Sequence, residues 1–141
     1  MLFGLCPHRP LHRLLVAVPA LFGLVTILAA GRILLGLGTA DHVVFYPLLA
    51  FNGLMGVVYI ATSFAIRSDP VRGRQFAIGV AALNLIVLGT IVLLRNGGQP
   101  IAAESVQAMV LRLAVWLTIV GGLTWLLRPA RRAGIPEVPA A

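Results

Sequence analysis

The chain has 141 residues, 60% of them hydrophobic and 11% charged, and its formal net charge of +7 is carried on the basic side by eleven arginines and no lysine. With a mean hydropathy of +1.00 and less than half the roughly 25% charge of an average soluble domain, it reads as an integral membrane protein, and an ordinary soluble domain is excluded. The length leaves no room for a soluble catalytic domain beside four spans, so any chemistry belongs in the bundle, at its rims or in a partner. Basic charge at helix ends points to anionic lipid headgroups and away from nucleic acid. The arginine-only, Ala/Leu/Gly/Val-rich composition fits a GC-rich bacterial genome.

Residues 1–13 form a basic N-terminal tail. Cys6 is the only cysteine, which rules out an intrachain disulfide. It lies in CPHRPLH with His8 and His12, and thiolate and imidazole are good transition-metal ligands. A fourth ligand is lacking, however, and Pro7 and Pro10 keep the tail irregular, so no metal site is expected. Arg9 and Arg13 ahead of an apolar run serve as a topology signal.

The first span runs from about 14 to 31. It is longer than a signal-peptide core and lacks a small-x-small cleavage pattern, so it is read as a retained helix. Pro19 and Gly23 are candidates to bend it, and Arg32 marks the far interface. Gly36, Gly38, Thr39 and Asp41 supply a helix end and a helix start, and Phe45 and Tyr46 suit the headgroup level. The second span, 47–66, opens with Pro47 and contains no charge.

Arg67 to Arg74 is the second connection. Asp69 followed by Pro70 is a helix-start signature, because the carboxylate accepts from free N–H groups and proline at the first position lacks one. The second and third helices are therefore expected as an antiparallel hairpin. The third span, 75–94, ends at Arg95 and the turn Asn96, Gly97, Gly98. After Pro100, Ile101 to Gln107 reads as an interfacial approach to the fourth span, 108–127, whose Arg112 is expected to snorkel to the nearer surface. Residues 128–141, with Pro129, Pro136 and Pro139, read as a disordered tail. The resulting fold class is all-α, a polytopic antiparallel bundle of four transmembrane helices.

Eight arginines fall on one side: Arg9, Arg13, Arg67, Arg72, Arg74, Arg128, Arg131 and Arg132. Only Arg32, Arg95 and Arg112 fall on the other. The positive-inside rule then places both termini in the cytoplasm of a bacterial inner membrane. Arg67, Arg72, Arg74, Arg128, Arg131 and Arg132 are the expected headgroup contacts.

On the second span Asn52, Gly56, Tyr59 and Ser63 are spaced 4, 3 and 4 residues apart, which gathers them on one stripe of the helix. Measured from the cytoplasmic arginines at about 1.5 Å per residue, Tyr59 lies at about 12 Å, Asn84 and Thr118 at about 15 Å, Thr26 at about 20 Å and Asn52 at about 22 Å. Two polar rungs are expected, Tyr59 with Asn84 or Thr118, and Asn52 with Thr26. The simpler reading is interhelical hydrogen bonding, worth about 0.6 kcal/mol per bond. The functional reading makes Asn52, Tyr59, Ser63, Asn84, Thr26 and Thr118 the floor of a ligand or quinone cavity. Ala77, Ala81, Gly121 and Gly122 permit close helix approach or dimerisation.

No Asp or Glu lies inside a span, which argues against a proton-coupled pump. His8 and His12 fall on one side and His42 on the other, so no pair can sandwich a haem. No HExxH, G-x-S-x-G or Walker motif is present. A short four-helix chain with R-I-L-L-G at Arg32 to Gly36, a second helix containing Phe51, Asn52, Gly53 and Tyr59, and a short basic hairpin loop resembles the DoxX-like small bacterial membrane proteins over roughly residues 12–127. The resemblance implies association with a redox complex and, by that route alone, quinone as a cofactor, since some members are similar to subunits of membrane-bound thiol or thiosulfate oxidoreductases. The expected role is an accessory or structural subunit of a larger membrane complex, with no catalytic activity of its own. It would act with a protein partner or as a homo-oligomer. A small oligomeric transporter or channel, or a quinone-linked oxidoreductase component, is the alternative.

Overall fold

The computed structural model describes residues 9–37 and 46–132, with side chains over 10–37 and 46–128. Among these residues the chain forms α1 (Arg9–Leu34), α2 (Tyr46–Ser68), α3 (Pro70–Asn96) and α4 (Ala103–Arg132). Each is long and apolar enough to cross a membrane, the pattern of a multi-pass membrane protein. Even α2, at 23 residues, extends about 35 Å, more than the roughly 30 Å of a bilayer's hydrocarbon core.

The helices outrun the spans expected from hydropathy because polar residues at their ends cost a helix nothing. Helix α1 begins at Arg9, inside what reads in sequence as an irregular tail. Pro10 falls in its first turn, where a missing N–H is no loss. Residues 103–107 are the first turns of α4, not a separate approach, and the helix continues through Arg132, past the point where the tail was expected to begin. Cys6, His8 and the segment 38–45, with Gly38, Thr39, Asp41 and Phe45, lie outside the described residues, as does 133–141, whereas Tyr46 is exposed at the start of α2.

A single residue separates α2 from α3. Asp69 is extended (φ −149°, ψ 104°) and its carboxylate accepts from the N–H groups of Val71 at 2.9 Å and Arg72 at 3.4 Å, leaving Pro70 at the N1 position it suits. The Arg72–Asp69 ion pair, 3.5 Å, is exposed and adds little. Helices α1 and α3 each end in a left-handed glycine, Gly36 at φ 68° and Gly98 at φ 90°. The N–H groups of Leu37 and Gln99 turn back to the carbonyls of Arg32 and Leu94 at 2.9 and 3.1 Å, which consumes acceptors a helix end would otherwise leave bare.

The helices pack in sequence order, with α1 on α2 the most extensive contact and α1 on α4 the least. Paired residues show α1 antiparallel to α2, through Val16 with Ser63 and Ala30 with Gly53, and α2 antiparallel to α3, through Ile66 with Gly73 and Tyr59 with Asn84, while Leu15 meets Gly122 between α1 and α4. Glycine sets two of these approaches. A Cβ on Gly23 would meet the Gly56 carbonyl oxygen at 2.6 Å, and one on Gly73 would meet the Ile66 Cα at 2.5 Å. Close backbone contact of this kind supplies packing where no hydrophobic drive separates helix from lipid.

One core cluster gathers Leu15, Met55, Tyr59, Ile66, Trp116 and Leu123 with neighbours from all four helices, and a second, at the opposite end, joins Leu48, Ile91, Ile101 and Met109. Of the small residues expected at helix contacts, Ala77 and Ala81 are buried, and Gly122 receives the Leu15 side chain. Gly121 is exposed and borders open space. Replacing Gly56 or Gly73 by Ala is expected to destabilise by about 1–3 kcal/mol, the usual cost of overpacking. Gly79→Ala and Gly121→Ala, which meet nothing, should leave stability unchanged or slightly raised. Reversible unfolding of the detergent-solubilised protein measures the difference.

Candidate functional site

Helix α2 turns its stripe inward: Gly56, Tyr59 and Ser63 are buried and Asn52 is half-buried. Tyr59 sits at the centre with no exposed surface. Its hydroxyl donates to Asn84 Oδ1 on α3 at 3.1 Å, and the Asn84 amide returns a bond to its own helix, to the Val80 carbonyl at 2.9 Å. The Tyr59 ring stacks on Phe22 of α1, centroids 5.8 Å apart, and tilts against Trp116 of α4 at 4.9 Å. The Trp116 indole N–H is buried near the Tyr59 hydroxyl but outside hydrogen-bond geometry.

Of the two expected partners for Tyr59 the structure provides Asn84. Thr118 lies on the outer surface, its hydroxyl donating to the Ala114 carbonyl at 2.9 Å. It is two residues from Trp116, some 200° around the helix, so equal depth does not bring it to Tyr59. The expected pairing of Asn52 with Thr26 does not form either. Thr26 is buried but donates to Phe22 O within its own helix at 2.8 Å. Asn52 Oδ1 instead accepts from Arg112 Nη1 across the bundle, and the same nitrogen lies 3.4 Å from Met109 Sδ. Arg112 therefore turns inward, contrary to the snorkelling expected of it. A sequence signal for this existed. Met109, Arg112, Trp116, Ile119 and Leu123 recur at spacings of 3, 4, 3 and 4, the seam period of packed helices.

Ser63 Oγ donates to the Val16 carbonyl at 2.6 Å. His12 is also engaged, with Nε2–H directed at the Ile66 carbonyl at 3.4 Å. Both bonds fasten α1 to the end of α2, and neither side chain is aimed at the other. Among the described residues no three His, Cys, Asp or Glu side chains gather in a metal-binding group. Arg67, Arg72 and Arg128 are exposed, as headgroup contact requires, but Arg74 is half-buried and its Nε is buried without a partner among the described residues. The side chains of Arg131 and Arg132 lie outside the described set.

A groove of about 370 Å³ opens on the outer surface between α2 and α3, lined by Met55, Val58, Gln75, Phe76, Gly79, Val80 and Leu83. None of the six polar residues expected to floor a cavity lines it. The centre of the bundle is filled by side chains, since Trp116, Tyr59, Met55 and Leu123 are completely or almost completely buried. Compared with protein-family models, curated proteins and solved structures, the chain matches none.

Among the described residues the arrangement holds helices together and turns the Arg112 cation inward to Asn52. Tyr59→Phe removes a single interhelical bond and is expected to cost about 0.6–2 kcal/mol, whereas Thr118→Val at the same depth should change stability by less than about 0.5 kcal/mol. Parallel unfolding curves of the two variants make the comparison.

Proposed function

We propose that the protein is an accessory subunit of a larger membrane complex, without catalytic activity of its own. The observation that carries this reading is the filled interior: Tyr59, Trp116, Met55 and Leu123 close the bundle axis, and on the four helices the one carboxylate, Glu104, is exposed in the first turn of α4 and does not enter the bundle. What the chain offers is its outer surface, which carries large apolar side chains from every helix, Leu21, Leu54, Ile86 and Leu111 among them. The likeness to DoxX-like proteins favours a redox or respiratory assembly, with quinone bound by the assembly. Mild-detergent purification of the tagged protein from native membranes is expected to recover a larger partner, and recovery of a clean monomer defeats the reading.

Orientation belongs to the same proposal. The arginine bias puts both termini on the cytoplasmic side of a bacterial inner membrane. A C-terminal green-fluorescent-protein fusion should fluoresce and a C-terminal alkaline-phosphatase fusion should be inactive; the opposite pattern reverses the assignment.

A second reading, a small oligomeric transporter or channel, draws on the Arg112–Asn52 contact as a polar step inside the bundle. It requires substrate flux in proteoliposomes that Asn52→Leu abolishes. Equal flux from the variant removes it.

A further inference from the structure

The geometry points to Arg112 as the binding group for a phosphate-type oxyanion that enters between α1 and α4 from the Ala103 end of the bundle. Four observations carry this. The first is position. On α4, Met109, Trp116 and Leu123 have no exposed surface and Ile119 has 3%, yet Arg112, in the same seam, is only half-buried. The seam is left unsealed at the arginine.

The second is the shape of the bundle. Helix α4 meets α1 less than any other neighbouring pair, and the Leu15–Gly122 contact lies towards the end where α1 begins. At the opposite end α1 turns to α2 instead, where Ala30 packs beside Gly53. Arg112, nearer the start of α4, therefore lies towards the end opposite the Leu15–Gly122 contact, where α1 is engaged with α2.

The third is charge. Guanidinium stays protonated at any physiological pH, and a cation inside a membrane bundle calls for a counter-charge or water. The partners that Arg112 has among the described residues are a neutral amide and a thioether, both on Nη1. Of the described carboxylates, Asp69 caps α3 at the far end, and Glu104 is exposed eight residues up α4, about 12 Å along the axis. Asn52 fixes one arm of the fork, leaving Nη2–H and Nε–H to donate to a planar pair of oxygens, the geometry in which arginine binds phosphate or carboxylate.

The fourth is depth. Arg112 is nine residues from the start of the 30-residue α4, about 13 Å along a helix of about 45 Å. Centred on a hydrocarbon core of about 30 Å, that helix places Arg112 about 6 Å below the headgroup boundary, within reach of a lipid phosphate. Anionic phospholipid and inorganic phosphate share this chemistry, and the experiment separates them.

The full-length protein in detergent is titrated with phosphatidylglycerol, with phosphatidylcholine and with inorganic phosphate, reading bound lipid by native mass spectrometry and melting temperature by tryptophan fluorescence. Phosphatidylglycerol is expected to bind at one saturable site and raise the melting temperature. Arg112→Gln should weaken it by about tenfold or more, the loss of a charge-assisted contact, and Arg95→Gln, an exposed arginine at the same end, should not. Should Arg112→Gln fail to fold, Asn52→Asp decides the matter, because it supplies Arg112 with an internal carboxylate: the variant should fold, melt higher and lose the anion response.

A response to phosphatidylglycerol alone supports the site with a headgroup as its occupant, and a response to phosphate supports it with a soluble occupant. Lipid or phosphate binding that Arg112→Gln leaves unchanged, or an anion response that survives Asn52→Asp, overturns the proposal. So does loss of stability in Asp41→Asn equal to that in Arg112→Gln with no anion effect, since the counter-charge would then be the chain's own.

Discussion

Tyr59 is the side chain on which the bundle is centred. Its ring lies on Phe22 of α1 and against Trp116 of α4, and its hydroxyl bonds Asn84 of α3, so one residue of α2 touches each of the other helices. It reaches that position because Gly23 and Gly56 bring α1 and α2 together backbone to backbone. A side chain at either glycine would push α1 outward and part the Phe22 ring from Tyr59. In a bilayer, where lipid competes equally for apolar surface, such shape-matched contacts and interhelical bonds do the work that water does for a soluble core.

Most hydroxyls in the spans do not join helices at all. Thr26, Thr62, Thr90, Thr118 and Thr124 each donate to a carbonyl four residues back on their own helix, which satisfies the group without specifying a neighbour. Interhelical specificity therefore rests on few contacts: Tyr59 with Asn84, Ser63 with Val16, His12 with Ile66 and Arg112 with Asn52. They divide by level. Ser63 and His12 secure the end near the Asp69 turn, Tyr59 the middle, and Arg112 the opposite end.

Much of this was legible in the chain. Four apolar runs and an Asp–Pro pair announce the helices and the tightest turn, and the 4, 3, 4 spacing on α2 identifies its inward face because a helix has a fixed angular period. Depth was a weaker guide. Thr118 and Asn84 lie at similar depth, but Asn84 is buried and Thr118 is on the outside; helix phase decides between them, and α4 has its phase set by Trp116. Arg112 departs from expectation for a different reason. An arginine near a helix end ordinarily escapes to the surface, and only the partner across the bundle, Asn52, reveals that it does not. The helices exceed their apolar stretches because hydropathy measures only the apolar part, whereas the helices themselves extend out to Arg9 and Arg132.

The turn at Asp69 has a mechanical meaning. With one residue between Ser68 and Pro70, there is no slack chain to absorb a slide of α2 along α3. A slip of one helical turn would need about 5 Å of connection, and it would carry Gly73 away from the Ile66 backbone that its missing side chain accommodates. The two helices are thus bound to move, tilt and enter a membrane as one hairpin. The sparsest contact among the described helices is that of α1 with α4, so a change in bundle shape loses least packing there.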